Sequence, residues 1–346
     1  MIDLTSARQN NATSPDRLTS SEFEHIEYGD DYISTGDDLP VRDKIKAVMN
    51  EIRTVLYGKD LQICYALCCI IGRGHLLMDD VPGVGKTTLA TLMAKVLGLG
   101  SQRIQFTSDL LPSDITGVSV YDEENKRFKF IAGPVFTQVL IADEINRTTA
   151  KTQSALLEAM AEFRVTTEGM SRDLPVPFFV VATQNPDNQI GTFPLPESQM
   201  DRFLMRISMG YPDASSEIKL LRGEMNFKAR LAGAAEILST PEVLELQRMA
   251  DDVSIADSIV EYIHRLLTYT RESSHIFSYG ISPRGGLALI QAVKAWAILE
   301  GRDYVEPDDV QALIYPVWSH RFVSVDGSMT QTELISHLLE SVPVVV

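Results

Sequence analysis

The sequence predicts an α/β domain built on a largely parallel sheet, followed by an all-helical domain. Three observations predict it. Between His75 and Ile207, short apolar runs alternate with stretches of helical periodicity, the pattern of βαβ units. A glycine-containing stretch, Asp79 to Thr88, falls between one such strand and the next helix. Past Tyr211-Pro212 the strand signals stop and only helical spacing remains. The chain has 346 residues, and at roughly 150 residues per domain that fits two domains.

Residues 1–39 stand apart in composition. They hold nine acids and two bases, and their apolar spacing is irregular. Such a segment buries too little to offset its ordering entropy. It reads as an acidic, disordered tail, or as an arm for a partner or for autoregulation. From Val41 the pattern changes: Ile45, Val48, Met49, Ile52, Val55 and Leu56 recur at helical spacing. A second apolar helix follows Gly58 and contains Cys64, Cys68 and Cys69, the chain's three cysteines. They make neither a disulfide framework nor a zinc pattern, and read as small buried hydrophobes. Strands are expected at His75–Met78, Arg103–Phe106, Val139–Ala142, Phe178–Ala182 and Phe203–Ile207. Helices are expected at Thr87–Leu97 and Lys151–Phe163, and after Pro212 at Glu242–Ala250, Asp257–Arg271, Gly285–Leu299, Pro307–Ile314 and Thr330–Leu339. The division is therefore 1–39 tail, 40–210 α/β domain and 211–346 helical domain. The most apolar stretch, Ile63 to Ile71, is too short to span a membrane. The N-terminus lacks the basic-then-apolar character of a signal peptide, so a cytoplasmic protein is expected. A net charge of −16 argues against a nucleic-acid partner.

The chemistry concentrates in three places. In Asp79-Asp80-Val81-Pro82-Gly83-Val84-Gly85-Lys86-Thr87-Thr88, Gly83 and Gly85 let backbone N–H groups approach phosphate oxygens, because no Cβ intervenes. The helix opening at Lys86 aims free N–H groups and a positive dipole end at the same point. Nucleotide binding is therefore expected at Pro82 through Thr88, with Lys86 on the β- and γ-phosphates and the Thr87 hydroxyl on Mg²⁺. One position departs from the strict pattern: Asp80 stands where a glycine is usual. The side chain there can point away from the phosphates. Next, the strand Val139 to Ala142 ends in Asp143-Glu144, 56 residues after Thr87. Solvated acids at a strand tip are common, but after a phosphate loop this is the Walker B layout. Asp143 is expected to hold Mg²⁺ and Glu144 to act as general base. Finally, the strand through Thr183 ends in Gln184-Asn185-Pro186. Asn185 is either an amide that orients the attacking water or a turn residue.

These motifs, taken with Ala142-Asp143-Glu144-Ile145-Asn146-Arg147, Lys151 to Met160, Gly191-Thr192-Phe193-Pro194-Leu195-Pro196-Glu197, Asp201-Arg202-Phe203-Leu204 and Ser282-Pro283-Arg284, closely resemble the MoxR family of AAA+ ATPases over roughly 41–320. The resemblance implies an AAA+ P-loop domain with an all-helical lid. It implies that Asn185 is sensor 1, that Arg202 is an arginine finger reaching the ATP of a neighbouring subunit, and that Arg284 is sensor 2. A guanidinium offers a planar fork of donors to charge developing on a phosphoryl group; an ordinary salt bridge is the other reading of both arginines. Arg147 is either an intersubunit sensor or a structural partner of Glu158 or another acid. Asp109 to Pro134 is similar to the family's helix-2 insert, and Arg164–Pro177 to its hairpin before sensor 1. The polar turn Tyr121 to Arg127 shows no clear pore aromatic motif.

The resemblance further implies Mg²⁺-dependent hydrolysis of ATP to ADP and phosphate in a self-assembled ring, a hexamer. It also implies chaperone-like remodelling of a protein client, usually with a von Willebrand factor A domain protein. The rival within the same superfamily is the ATPase subunit of a magnesium chelatase. Rivals from other classes are a nucleic-acid motor and a non-catalytic nucleotide-binding scaffold.

Overall fold

The computed structural model describes residues 40–185, 192–212, 214–222 and 227–344; the acidic segment 1–39 and Gly191 of the motif above lie outside them. Two helices lead in, α1 (Lys44–Arg53) and α2 (Asp60–Ile71). Then come β1 (Leu76–Asp79), α3 (Lys86–Val96), β2 (Ser101–Gln105), α4 (Pro112–Thr116), and the hairpin β3 (Gly117–Asp122)/β4 (Arg127–Ala132). β5 (Val139–Asp143), α5 (Ala150–Glu162), the hairpin β6 (Arg164–Thr167)/β7 (Met170–Asp173), β8 (Phe179–Gln184), α6 (Glu197–Met200) and β9 (Met205–Ile207) complete the α/β part. The helices α7 (Ala214–Leu221), α8 (Phe227–Gly233), α9 (Thr240–Asp252), α10 (Asp257–Glu272), α11 (Pro283–Leu299), α12 (Pro307–Trp318) and α13 (Gln331–Ser341) follow. The sequence does not predict α4, α6, α7 or α8, and it marks β3 and β4 only as part of an insert; the other elements fall within a few residues of their expected places.

The main sheet runs β2-β5-β8-β1-β9, and every pairing in it is parallel. Such a sheet needs both faces covered, because its inner strands β1, β5 and β8 are apolar on both. The period-2 alternation does this. Leu76, Met78, Val139, Ile141, Phe179 and Val181 join one core with α1, α2, α3 and the later helices. Leu77, Leu140, Ala142, Val180 and Ala182 join a second core with Leu156, Leu157, Ala159 and Met160 of α5. Each fully buried aliphatic side chain contributes about 1.5–3 kcal/mol. The register brings the C-terminal ends of β1, β5 and β8 to one edge, where Asp79 pairs with Gln184 and Ala142 with Ala182. Open parallel sheets hold ligands in the crevice beyond that edge.

The three cysteines are buried on α2 without disulfides. Burial pushes the Cys64 thiol up to about 12 and raises Cys68 and Cys69 as well, so they pack as apolar groups. His75 sits between β8 and α5: Nδ1 accepts the Val180 N–H at 3.1 Å and Nε2 donates to the Met160 carbonyl at 3.2 Å. Burial lowers its pKa to about 4. His320, buried where its ring meets the Phe203 carbonyl, is lowered too, by burial and by Arg321 and Arg206. The unfolded chain protonates these rings near 6.5, whereas the folded chain resists. The stability they supply is therefore complete above that pH and is lost as pH falls toward 4. For His75 the loss amounts to about 3 kcal/mol at most. Thermal unfolding followed by circular dichroism is expected to show a midpoint several degrees lower at pH 5 than at pH 7.5, and His75→Gln to flatten that dependence.

Candidate active site

The residues 80–86 form the turn from β1 into α3. Gly83 and Gly85 stand at φ +91° and +96°, in the region where a Cβ is strained. A Cβ on Gly83 would meet nothing within 4 Å, so the space over the loop is open. Lys86 begins α3 and is 8% exposed. Its ammonium donates to the carbonyls of Asp80 and Gln184, the latter at 2.9 Å, and to Asn185 Oδ1 at 3.3 Å. Burial pulls its pKa down, while Asp80, Asp79, Asp143 and Glu144 oppose that shift. A buried cation held only by neutral acceptors is arranged to take anionic oxygens instead. The open cradle and this lysine fit a bound triphosphate.

Asp143 ends β5 with 4% exposure. Thr87 Oγ1 donates to its carboxylate at 3.1 and 3.2 Å, Thr183 Oγ1 at 3.2 Å and Arg103 Nε at 2.6 Å. Among the described residues no cluster of three or more His, Cys, Asp or Glu side chains forms a metal cage. One carboxylate beside one hydroxyl is instead the sparse donor set of a magnesium ion that keeps its waters and uses substrate phosphates. Glu144 follows at φ +57°, a backbone conformation that costs a non-glycine residue about 1–3 kcal/mol. Its N–H is held by Thr183 Oγ1 at 3.0 Å. One carboxylate oxygen accepts from Asn185 Nδ2 at 3.0 Å, the other from Gln105 Nε2 at 2.9 Å and Arg147 Nε at 3.1 Å. The structure thus pairs Arg147 with Glu144, not Glu158. Asn185, 3% exposed, is oriented by Asn146 Nδ2 on its carbonyl at 3.0 Å. Lys86, Thr87, Asp143, Glu144 and Asn185 are therefore one connected polar set at the sheet edge.

The other two arginines stand apart from it. Arg202 Nη1 donates to the Leu157 carbonyl at 2.7 Å. Arg284, at the start of α11, lies 3.8 Å from Asp201 and is half exposed. Asp201 is gripped more closely by Arg321, whose Nε reaches it at 2.6 Å and whose Nη2 reaches the Phe203 carbonyl at 2.9 Å.

Residues 75–205 match the model of the ATPase family associated with various cellular activities, and 270–337 match an AAA lid domain. A protein of Bacillus subtilis called uncharacterized protein YeaC is 44% identical over 80% of this chain and 86% of its own length. Chaperone MoxR1 of Mycobacterium tuberculosis is 39% identical over 79% and 74%. The chain belongs to the MoxR family of AAA+ ATPases. A crystal structure described as a "putative ATPase" from Cytophaga hutchinsonii superimposes on it with a TM-score of 0.80 at 37% identity, covering 88% of this chain and 96% of that one. The magnesium-chelatase subunit ChlI-1 of Arabidopsis thaliana is a more distant match, 28% identical over 75% of the chain and 60% of its own length.

For a MoxR-family ATPase, the sequence alone does not reveal three residues that touch Asp143 or Glu144, namely Arg103, Gln105 and Thr183, nor Arg321, which holds Asp201 beside Arg284. Arg103 and Gln105 lie on β2, an edge strand whose neighbour is β5. The register sets Gln105 opposite Asp143, and its side chain reaches Glu144. That order of strands is not written in either segment. Thr183 carries a signal that could have been used, a hydroxyl at the end of an otherwise apolar strand.

Proposed function

We propose that the chain hydrolyses ATP to ADP and phosphate, with Mg²⁺, at the subunit interfaces of a homohexameric ring. The observation that carries the reading is the connected polar set of Lys86, Thr87, Asp143, Glu144 and Asn185 beside an open glycine cradle. Pro82 to Thr88 would bind the phosphates, with Lys86 exchanging its carbonyl partners for phosphate oxygens. Thr87 and Asp143 would hold the magnesium ion, which when bound neutralises charge building on the phosphoryl oxygens. Glu144 would accept the proton of the attacking water, and Asn185 would hold that water in line. Both Glu144 oxygens are engaged in the present arrangement, so turnover requires one partner to let go. Arg202 would serve a neighbour's nucleotide, and Arg284 would leave Asp201 to meet its own subunit's phosphates.

In the cell the protein would act in the cytoplasm as a chaperone-like remodeller of a protein client, with a von Willebrand factor A domain protein as partner. The likeness to a relative named as a chaperone supports the remodelling role, and the three buried thiols without disulfides are in keeping with a reducing compartment. Among the described residues no helix is long and apolar enough to cross a membrane. The net charge of −16 weighs against a nucleic-acid motor. If the finger comes from a neighbour, activity per subunit must depend on assembly. Phosphate release per subunit is expected to rise steeply with protein concentration and to stop with EDTA. Brisk hydrolysis by a dilute, monodisperse monomer would overturn the ring.

A further inference from the structure

The position that departs from the strict phosphate-loop pattern carries a carboxylate engaged through both of its oxygens. Asp80 Oδ1 accepts the Val81 N–H at 2.7 Å, at the entry to the loop. Asp80 Oδ2 accepts from Ser208 Oγ at 2.7 Å and from the Gly210 N–H at 2.6 Å. Ser208 to Pro212 is the stretch that leaves β9 for the helical domain. The same stretch is gripped from its other side. Lys59, 7% exposed, donates to the carbonyls of Met209, Gly210 and Tyr211 at 2.6, 3.2 and 2.8 Å. Gly210 makes this possible by standing at φ +61°, which turns its N–H toward Asp80 while its carbonyl faces Lys59.

Asp80 is also in contact with the phosphate-sensing lysine. Its backbone carbonyl is an acceptor of the Lys86 ammonium. One residue therefore faces Lys86 with its main chain and the connecting segment with its side chain. A glycine there would preserve the turn but could not reach Ser208 or Gly210.

We propose that Asp80 is a positioning residue that ties the state of the phosphate loop to the segment joining the two domains. This rests on the active-site reading above. When Lys86 turns from the Asp80 carbonyl to a phosphate, the peptide unit between Asp80 and Val81 loses one of its anchors and can shift. The carboxylate transmits that shift to Gly210 and, through the segment Lys59 clamps, to the lid.

Hydrogen–deuterium exchange of peptides covering 208–212 in the full-length protein tests this. Asp80→Gly restores the strict motif while deleting the tie. Without nucleotide it is expected to speed exchange in that segment roughly tenfold, since Gly210 loses a charged acceptor. Unchanged exchange overturns the proposal. On a Glu144→Gln background, ATP with magnesium is expected to alter exchange at 208–212 when Asp80 is present. Asp80→Gly is expected to bind ATP within about threefold of that protein, yet show no such change. A response that persists without Asp80 refutes the tie. If neither protein binds ATP, the active-site reading is what fails, and the nucleotide-free exchange still judges the contact. In the otherwise unaltered enzyme, Asp80→Gly is expected to lower kcat about tenfold with KM within about threefold. Equal kcat counts against the proposal. Ser208→Ala removes one donor without touching the loop and is expected to act in the same direction with smaller size. It decides the matter should Asp80→Gly not fold, and no effect from it would then overturn the proposal.

Discussion

Glu144→Gln is expected to bind ATP normally and to lose turnover by about 10²–10⁴-fold, the usual scale for a general base. The substitution is nearly isosteric, and the amide oxygen can still accept from Asn185 Nδ2, which lies 3.0 Å from Glu144. The backbone at φ +57° is unchanged by it, and Thr183 continues to hold the N–H. What disappears is the basic oxygen, together with the acceptor that Gln105 Nε2 and Arg147 Nε use. Single-turnover hydrolysis and nucleotide affinity, measured separately, check this. Unchanged turnover would remove Glu144 from the mechanism.

The second large effect concerns Arg202. On the proposed reading its loss would remove positive charge from a neighbour's nucleotide. Fingers supplied in trans contribute about 10³–10⁵ in rate in GTPases, so Arg202→Ala is expected to lose a factor of that order. Within its own subunit Arg202 spends one donor on the Leu157 carbonyl, a contact with no bearing on its own phosphate loop. Mixing separates the readings. Arg202→Ala and Glu144→Gln, each inactive alone, are expected to recover activity in mixed rings, because some interfaces then combine an intact base with an intact finger. Recovery is measured as phosphate release across mixing ratios, with co-assembly confirmed by mass. No recovery in proven mixed rings would argue against a finger in trans.

The sheet and most helices were legible because their residues obey strict periods. Val139 to Ala142 and Phe179 to Ala182 are apolar on both faces, as parallel strands must be. α1 buries Ile45, Val48, Met49 and Ile52 along one side. Lys86, Thr87, Asp143 and Glu144 were legible because local geometry alone, a turn and a strand tip, places them. What could not be read depends on long-range neighbours. Arg103 reaches Asp143 only because β2 flanks β5, and Arg321 reaches Asp201 across 120 positions of sequence. Nor could the sequence tell that Tyr121 and Phe128 stand exposed as an edge-to-face pair, centroids 5.4 Å apart, on the β3–β4 hairpin. The hairpin's turn is polar, as read, but its strands present aromatic surface. α7 and α8 escaped because nothing in their short apolar spacing distinguishes them from a connection.

The apolar core of the sheet's α2 side does not stop at the domain boundary. Leu76 and Met78 of β1, Ile63 and Leu67 of α2, and Trp296, Leu313 and Trp318 of the lid belong to one unbroken cluster. A jaw-like gape between the domains would wet that seam, and uncovering only ~200 Å² of it would cost about 5 kcal/mol. Any motion between the domains is therefore expected to be a glide of greased surfaces across α2, small in travel and sealed against water throughout.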